Sequence, residues 1–236
     1  MKDIIEKILA YLPHYFVELG QVCAGPKRFI AGRDVNSEEI FAASLVFLAI
    51  SMVLGILIQT PFNPPNKDLW IGFGWTAVET MFDVTSGTLA VYFGWWIVGG
   101  RARPRGFFTS YSYFSGASYV IFPVFSLVAL SIVKVLEPER FEKISQRRPG
   151  SEQFKMMVDP VFSASVIGEP STTLYVAYAI VWAAILLWLV WFIVAWGAFR
   201  TLSGRSKIRS FFAFLLAFVF FYIGSIAFYF IDLASD

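Results

Sequence analysis

Glu79 and Asp83 stand four residues apart in a stretch, Leu69 to Gly100, that carries no other charge. Four residues is about one helical turn, so on a helix both carboxylates lie on one face. Acids set among apolar residues are expensive to ionise, and where they are kept they tend to bind a cation or pass a proton. Thr76, Thr80, Gly87 and Ala90 extend the same stripe at helical spacing. A second stripe of Ser112, Ser115, Gly116, Tyr119, Pro123 and Ser126 matches it further along. Its small residues and hydroxyls suit helix packing first and the lining of a solute path second. A smaller packing face is Ser44, Ser51 and Gly55.

Other reactive residue types are sparse. His14 is the only histidine and Cys23 the only cysteine, so no histidine-based relay, multi-cysteine metal site or intrachain disulfide is expected. The serines have no strand-turn-helix elbow or neighbouring base, and no glycine-rich phosphate cradle occurs. The expectation is a noncatalytic protein with no cofactor and no metal. Trp182, Trp188, Trp191 and Trp196 read as anchors and core volume.

The elements that must carry these stripes follow from where charge is missing. Ile40 to Asn66, Gly106 to Val133, Pro170 to Phe199 and Ser210 to Ile231 are uncharged. Each exceeds the roughly 20 residues that a ~30 Å hydrocarbon core requires. Leu69 to Gly100 is as long and as apolar, its two acids apart. Hydrophobic residues make up 57% of the chain and charged ones 15%. With a mean hydropathy of +0.65, that is more apolar surface than a soluble fold of this size hides. We therefore expect an all-α integral membrane protein, a bundle of about five transmembrane helices with spans near 40–60, 76–99, 107–133, 173–199 and 210–231. Counted back from Gly100 at 1.5 Å per residue, Asp83 lies roughly 25 Å and Glu79 roughly 31 Å along its helix. The pair would then sit near the outer end of its span.

Loop charge sets the orientation. Arg101, Arg103 and Arg105 fill one short connection; Arg200, Arg205, Lys207 and Arg209 fill another; neither holds an acid. Both are expected in the cytoplasm, with the N-terminus inside and the C-terminus outside. A net charge of +2 without a long basic run gives no nucleic-acid footprint. Residues 1–24 repeat apolar positions at Ile5, Ile8, Leu9, Leu12, Phe16 and Leu19 opposite Lys2, Asp3, Glu6 and Lys7. That predicts an amphipathic helix at the inner interface. Interrupted by those charges, it is not expected to be a cleavable signal peptide. The membrane domain is then 25–236. Its outer loop, 134–172, is rich in proline, and Phe141 with Ile144 and Phe154 with Met157 are expected to pin short helices to the outer membrane surface.

Gly25-Pro26-Lys27-Arg28-Phe29 leads into the first span, Gly106-Phe107-Phe108 opens a helix reaching Ser118-Tyr119 and Pro123, and Leu202-Ser203-Gly204-Arg205-Ser206-Lys207 precedes the last span. The arrangement resembles the Yip family of Ypt/Rab-interacting membrane proteins, in its bacterial form, over about Gly25 to Ile231. The Asp-Leu-Tyr and Tyr-Gly-Thr signatures of the eukaryotic members do not occur here. The resemblance implies a five-helix scaffold or adaptor without known catalysis in a bacterial inner membrane, and assigns no individual residue a role. Two functions stay open on the sequence. One is a noncatalytic scaffold or membrane organiser that binds lipids and a protein partner or a second copy, its seven inner-loop bases contacting anionic lipid or that partner. The other is a transporter or channel component using Glu79 and Asp83.

Overall fold

The computed structural model describes residues 2–59, 69–101, 103–145, 156, 159–169 and 171–235, with the side chains at 2–9, 69–73, 75, 76, 79, 160–162 and 224–235 outside the description. Among the described residues the regular structure is helical throughout. The elements are α1 (Lys2–Ala24), α2 (Pro26–Ala31), α3 (Glu38–Gln59), α4 (Leu69–Ile97), α5 (Pro104–Leu136), α6 (Pro138–Ser145), α7 (Pro160–Ile167), α8 (Thr172–Ser203) and α9 (Lys207–Ser235).

The boundaries have local causes. Gly25 and Pro26 part α1 from α2, with the proline where a helix needs no N–H. The hydroxyls of Ser37, Ser171 and Ser206 accept hydrogen bonds from the backbone N–H groups of Ile40, Leu174 and Arg209, capping α3, α8 and α9. Helix α4 closes on Gly99 at φ +84, with Gly100 N–H donating to Trp95 O at 2.7 Å and Gly99 N–H to Trp96 O at 2.9 Å. That is a Schellman stop, which a side chain at residue 99 would strain.

Three helices, α3, α5 and α8, are long and apolar enough to cross a membrane. Their 22, 33 and 32 residues reach about 33, 50 and 48 Å against a core of ~30 Å. Much of their apolar surface is uncovered: Leu186, Leu187, Val190 and Ile193 on α8 are all exposed. Water would disfavour such a face, whereas lipid would not.

The chain divides into two compact units, each described in turn. The first holds Met1–Ile50, Ala77–Ala117 and Phe192–Asp236. Tyr15, Phe47, Tyr113 and Phe29 form one aromatic chain in it, with ring centroids 4.8 to 5.1 Å apart. Trp95 stacks on Trp196 at 5.7 Å and Phe107 on Phe199 at 5.6 Å. Glycines bring backbones together. A Cβ at Gly94 would lie 2.6 Å from Ala213 O, and one at Gly87 would run into the ring of Tyr111, so α4 meets α9 and α5 at these points.

The second unit holds Ser51–Thr76 and Ser118–Trp191. In it α5 runs unbroken through Pro123. That proline leaves the carbonyl of Tyr119 without its helical donor, and the same oxygen lies against Gly55 of α3, where a Cβ would collide with it. The indole of Trp188 donates to Ser118 Oγ at 3.1 Å. The outer-loop expectation needs a correction. Ile144 is fully buried beside Leu130, Val133, Met156, Ile167, Leu174 and Tyr178, and Phe141 packs against that cluster. The short helix α6 turns Ile144 into the protein and not toward a membrane surface, because folding buries it against α5, α7 and α8, while Phe141 stays half-buried. Phe154 and Met157 lie outside the described residues.

Candidate functional site

Of the acidic stripe, the side chains of Thr76 and Glu79 lie outside the described residues. Thr80 is buried and Asp83 is exposed on α4. Gly87 and Ala90 are buried, and Gly87 serves the contact with Tyr111. On α5 Ser112 is wholly buried and its hydroxyl has no hydrogen-bond partner among the described residues, while Ser115 and Tyr119 are half-buried. Asp83 thus stands at an exposed position and not in the buried setting that makes an acid costly to ionise.

The basic connections fare differently. Arg205, in the turn between α8 and α9, donates through Nη2 to the carbonyl of Gly99, 106 residues earlier, at the end of α4. A Cβ on Gly99 would lie 3.6 Å from Arg205 Nη2 and 3.8 Å from Arg209 Nη1. Two loops that the sequence presents separately thus form a single cationic face in the first unit. The Nε of Arg205 is buried and lacks a partner among the described residues. Arg101, Arg103, Lys207 and Arg209 are exposed, and Arg200 is half-buried. Arg105 turns to the α2–α3 connection, with Nη1 donating to Asn36 O at 3.3 Å and Nη2 3.6 Å from Glu38. Lys27 lies against α8, its Cδ 3.6 Å from where a Cβ on Gly197 would stand. Its position in Gly25-Pro26-Lys27-Arg28-Phe29 carried no hint of that, since α2 has to fold back before Lys27 reaches α8.

Sequence reasoning missed a buried ionic cluster. Glu18 on α1 has a side chain only 2% exposed, and Arg33 donates to its Oε1 at 2.6 Å. Tyr11 Oη donates to Oε2 at 2.8 Å, and His14 Nε2 stands 3.5 Å from Oε1. The guanidinium also donates to Tyr113 Oη at 3.2 Å and lies over the ring of Phe29 at 4.0 Å. Burial, then the bond to Glu18, pushes the Tyr11 hydroxyl well above the usual tyrosine range. This cluster ties α1 to α5. The available signal was a second stripe, Tyr11, Tyr15, Glu18 and Val22, at helical spacing beside the apolar one. It is the face that α1 buries, while Phe16 and Val17 point outward. Cys23 is half-buried, and burial pushes its thiol up. Among the described residues no three His, Cys, Asp or Glu side chains gather as a metal site would require.

An all-helical chain with three helices able to cross a bilayer, one of them clothed in exposed leucine, valine and isoleucine, defines the class: an integral membrane protein. Comparison with protein-family models, curated proteins and solved structures finds no match.

Proposed function

We propose that this is a noncatalytic, Yip-like membrane protein of five spans in a bacterial inner membrane, which organises anionic lipid or holds an acidic partner or a second copy against a basic cytoplasmic face. The observation that carries the proposal is the reach of Arg205 to Gly99, which gathers Arg101, Arg103, Arg205, Lys207 and Arg209 from two connections. An insertion signal needs charge on the right side of the membrane but no convergence of loops. The 29-residue helices α4 and α9 supply the fourth and fifth spans in this reading. Each cation near an anionic leaflet contributes about 1 kcal/mol, declining within a Debye length.

A salt series tests the proposal. Protein in detergent is offered phosphatidylglycerol or phosphatidylcholine vesicles, and a cytosolic extract, at rising ionic strength. Retention of the acidic ligand should weaken with salt and fall in the Arg205→Gln, Lys207→Gln, Arg209→Gln triple variant with its topology unchanged. Retention indifferent to both reduces these residues to insertion signals.

The second reading, transport through Glu79 and Asp83, draws on the buried, unpartnered hydroxyl of Ser112. Its test is cation or proton flux in liposomes, which Asp83→Asn should abolish. No flux under an imposed gradient, with the Glu79→Gln, Asp83→Asn variant behaving as wild type, ends it.

A further inference from the structure

A groove of about 420 Å³ opens in the first unit between the start of α3, the second half of α4 and the start of α5. Its walls are Phe41, Leu89, Tyr92, Phe93 and Phe108, and Leu89 and Phe93 are exposed. Beside Thr85 at its exposed edge, two polar features break this apolar lining. Arg105 stands at the rim, with a guanidinium near half exposed. Thr88 lies within, more than nine-tenths buried, and its hydroxyl has no hydrogen-bond partner among the described residues. A helix threonine normally satisfies its hydroxyl on its own backbone or a neighbour. Thr88 therefore offers a buried donor that an acceptor in the groove would satisfy.

We propose that the groove seats one anionic phospholipid of the inner leaflet. An acyl chain lies along α4, an ester carbonyl accepts from Thr88, and the phosphate pairs with Arg105. From Thr85 to Tyr92 the wall extends about 10 Å along the helix axis, which an acyl chain follows and a water-soluble anion would leave empty. Glu38, 88% exposed, is the competing partner of Arg105 at 3.6 Å, so the arriving phosphate displaces a weakly held carboxylate. The inference rests on the proposed orientation only for the leaflet that supplies the lipid.

Native mass spectrometry of protein extracted from vesicles of equal phosphatidylglycerol and phosphatidylcholine counts the lipids retained. One phosphatidylglycerol should stay in preference to phosphatidylcholine. Arg105→Gln should weaken that retention about fivefold, and Arg105→Lys should restore most of it. Glu38→Gln should strengthen it, a gain that loss of folding does not produce. Thr85→Trp, on the exposed edge of the groove, should remove the lipid. The Arg205, Lys207 and Arg209 triple variant should keep it, so the seat and the basic face fail separately. Equal retention of both lipids, or retention unmoved by Thr85→Trp and Glu38→Gln, overturns the seat.

Discussion

At the scale of single residues, the geometry of Glu18 and Arg33 makes an asymmetric forecast. Removing one member of a buried ion pair strands the other charge, whereas removing both leaves little to compensate. Arg33→Met should lower stability by about 3 kcal/mol, and Glu18→Met added to it should recover most of the loss. Thermal unfolding in detergent checks the order, and a single variant no worse than the double would show that the pair is not structurally coupled. Gly55 makes a steric forecast. Gly55→Ala drives a methyl against Tyr119 O, and overpacking of this kind costs about 1–3 kcal/mol; an unchanged melting temperature would mean that α3 and α5 separate there at no cost. Only the second of these sites was half legible in the sequence. Gly55 stood out as a small residue beside Ser44 and Ser51, and Pro123 as the residue that takes one helical donor out of α5. Nothing local said that one fills the other, because the contact spans 64 residues. Glu18 and Arg33 were hidden for a related reason: an acid on an amphipathic helix reads as its wet side until a cation from another element covers it.

At the scale of elements, punctuation was the readable part. Gly25-Pro26, Gly99, Pro104 and Gly204 end or open helices for reasons internal to each residue. Packing was not readable in the same way. Phe141 and Ile144 have the spacing of a helix face whether that face meets lipid or protein, and only the proximity of α5, α7 and α8 decides it. The junction that fixes α6 titrates. Glu137, between α5 and α6, accepts from Ser171 Oγ at the cap of α8, and Arg140 Nε stands 3.2 Å from its other oxygen. The bond from Ser171 foremost, with further help from Thr173 and Arg140, holds its carboxyl below the usual carboxylate range. A depressed folded-state pKa stabilises above the unfolded value and is lost as the proton binds. Protection of the α6 amides from hydrogen exchange should therefore be constant above about pH 5 and fall as pH drops below the ordinary value of 4.5. Glu137→Gln should flatten that dependence. A variant that keeps the acid-side loss would assign it to another group.

At the scale of the whole molecule, hydropathy and loop charge together propose a number of crossings and a direction, of which three membrane-length apolar helices are seen. The apolar stretches were plain because lipid imposes length directly on sequence. The convergence of Arg205 and Arg209 on Gly99 was invisible, since two loops a hundred residues apart are neighbours only once their helices pack. Five crossings and the positive-inside rule require opposite sides for the two ends of the chain. A reporter fused after Asp236 should read as extracytoplasmic, as should one inserted in 134–172. In a background with Cys23 replaced by serine, a cysteine at Lys207 should react with a membrane-impermeant reagent only after the membrane is opened. The last span is the sensitive one: α9 follows the basic turn at once, its first apolar residues Ile208, Phe211 and Phe212 are exposed, and its approach to α4 at Gly94 and Ala213 demands that α4 lie at the same depth. A cytoplasmic reporter after Asp236 would mean that α4 and α9 do not both cross, with α4 the first suspect because it carries Glu79 and Asp83. The groove beside Arg105 would then lose its claim on the inner leaflet, while the convergence of the two basic turns, a matter of packing and not of crossing, would still need a ligand.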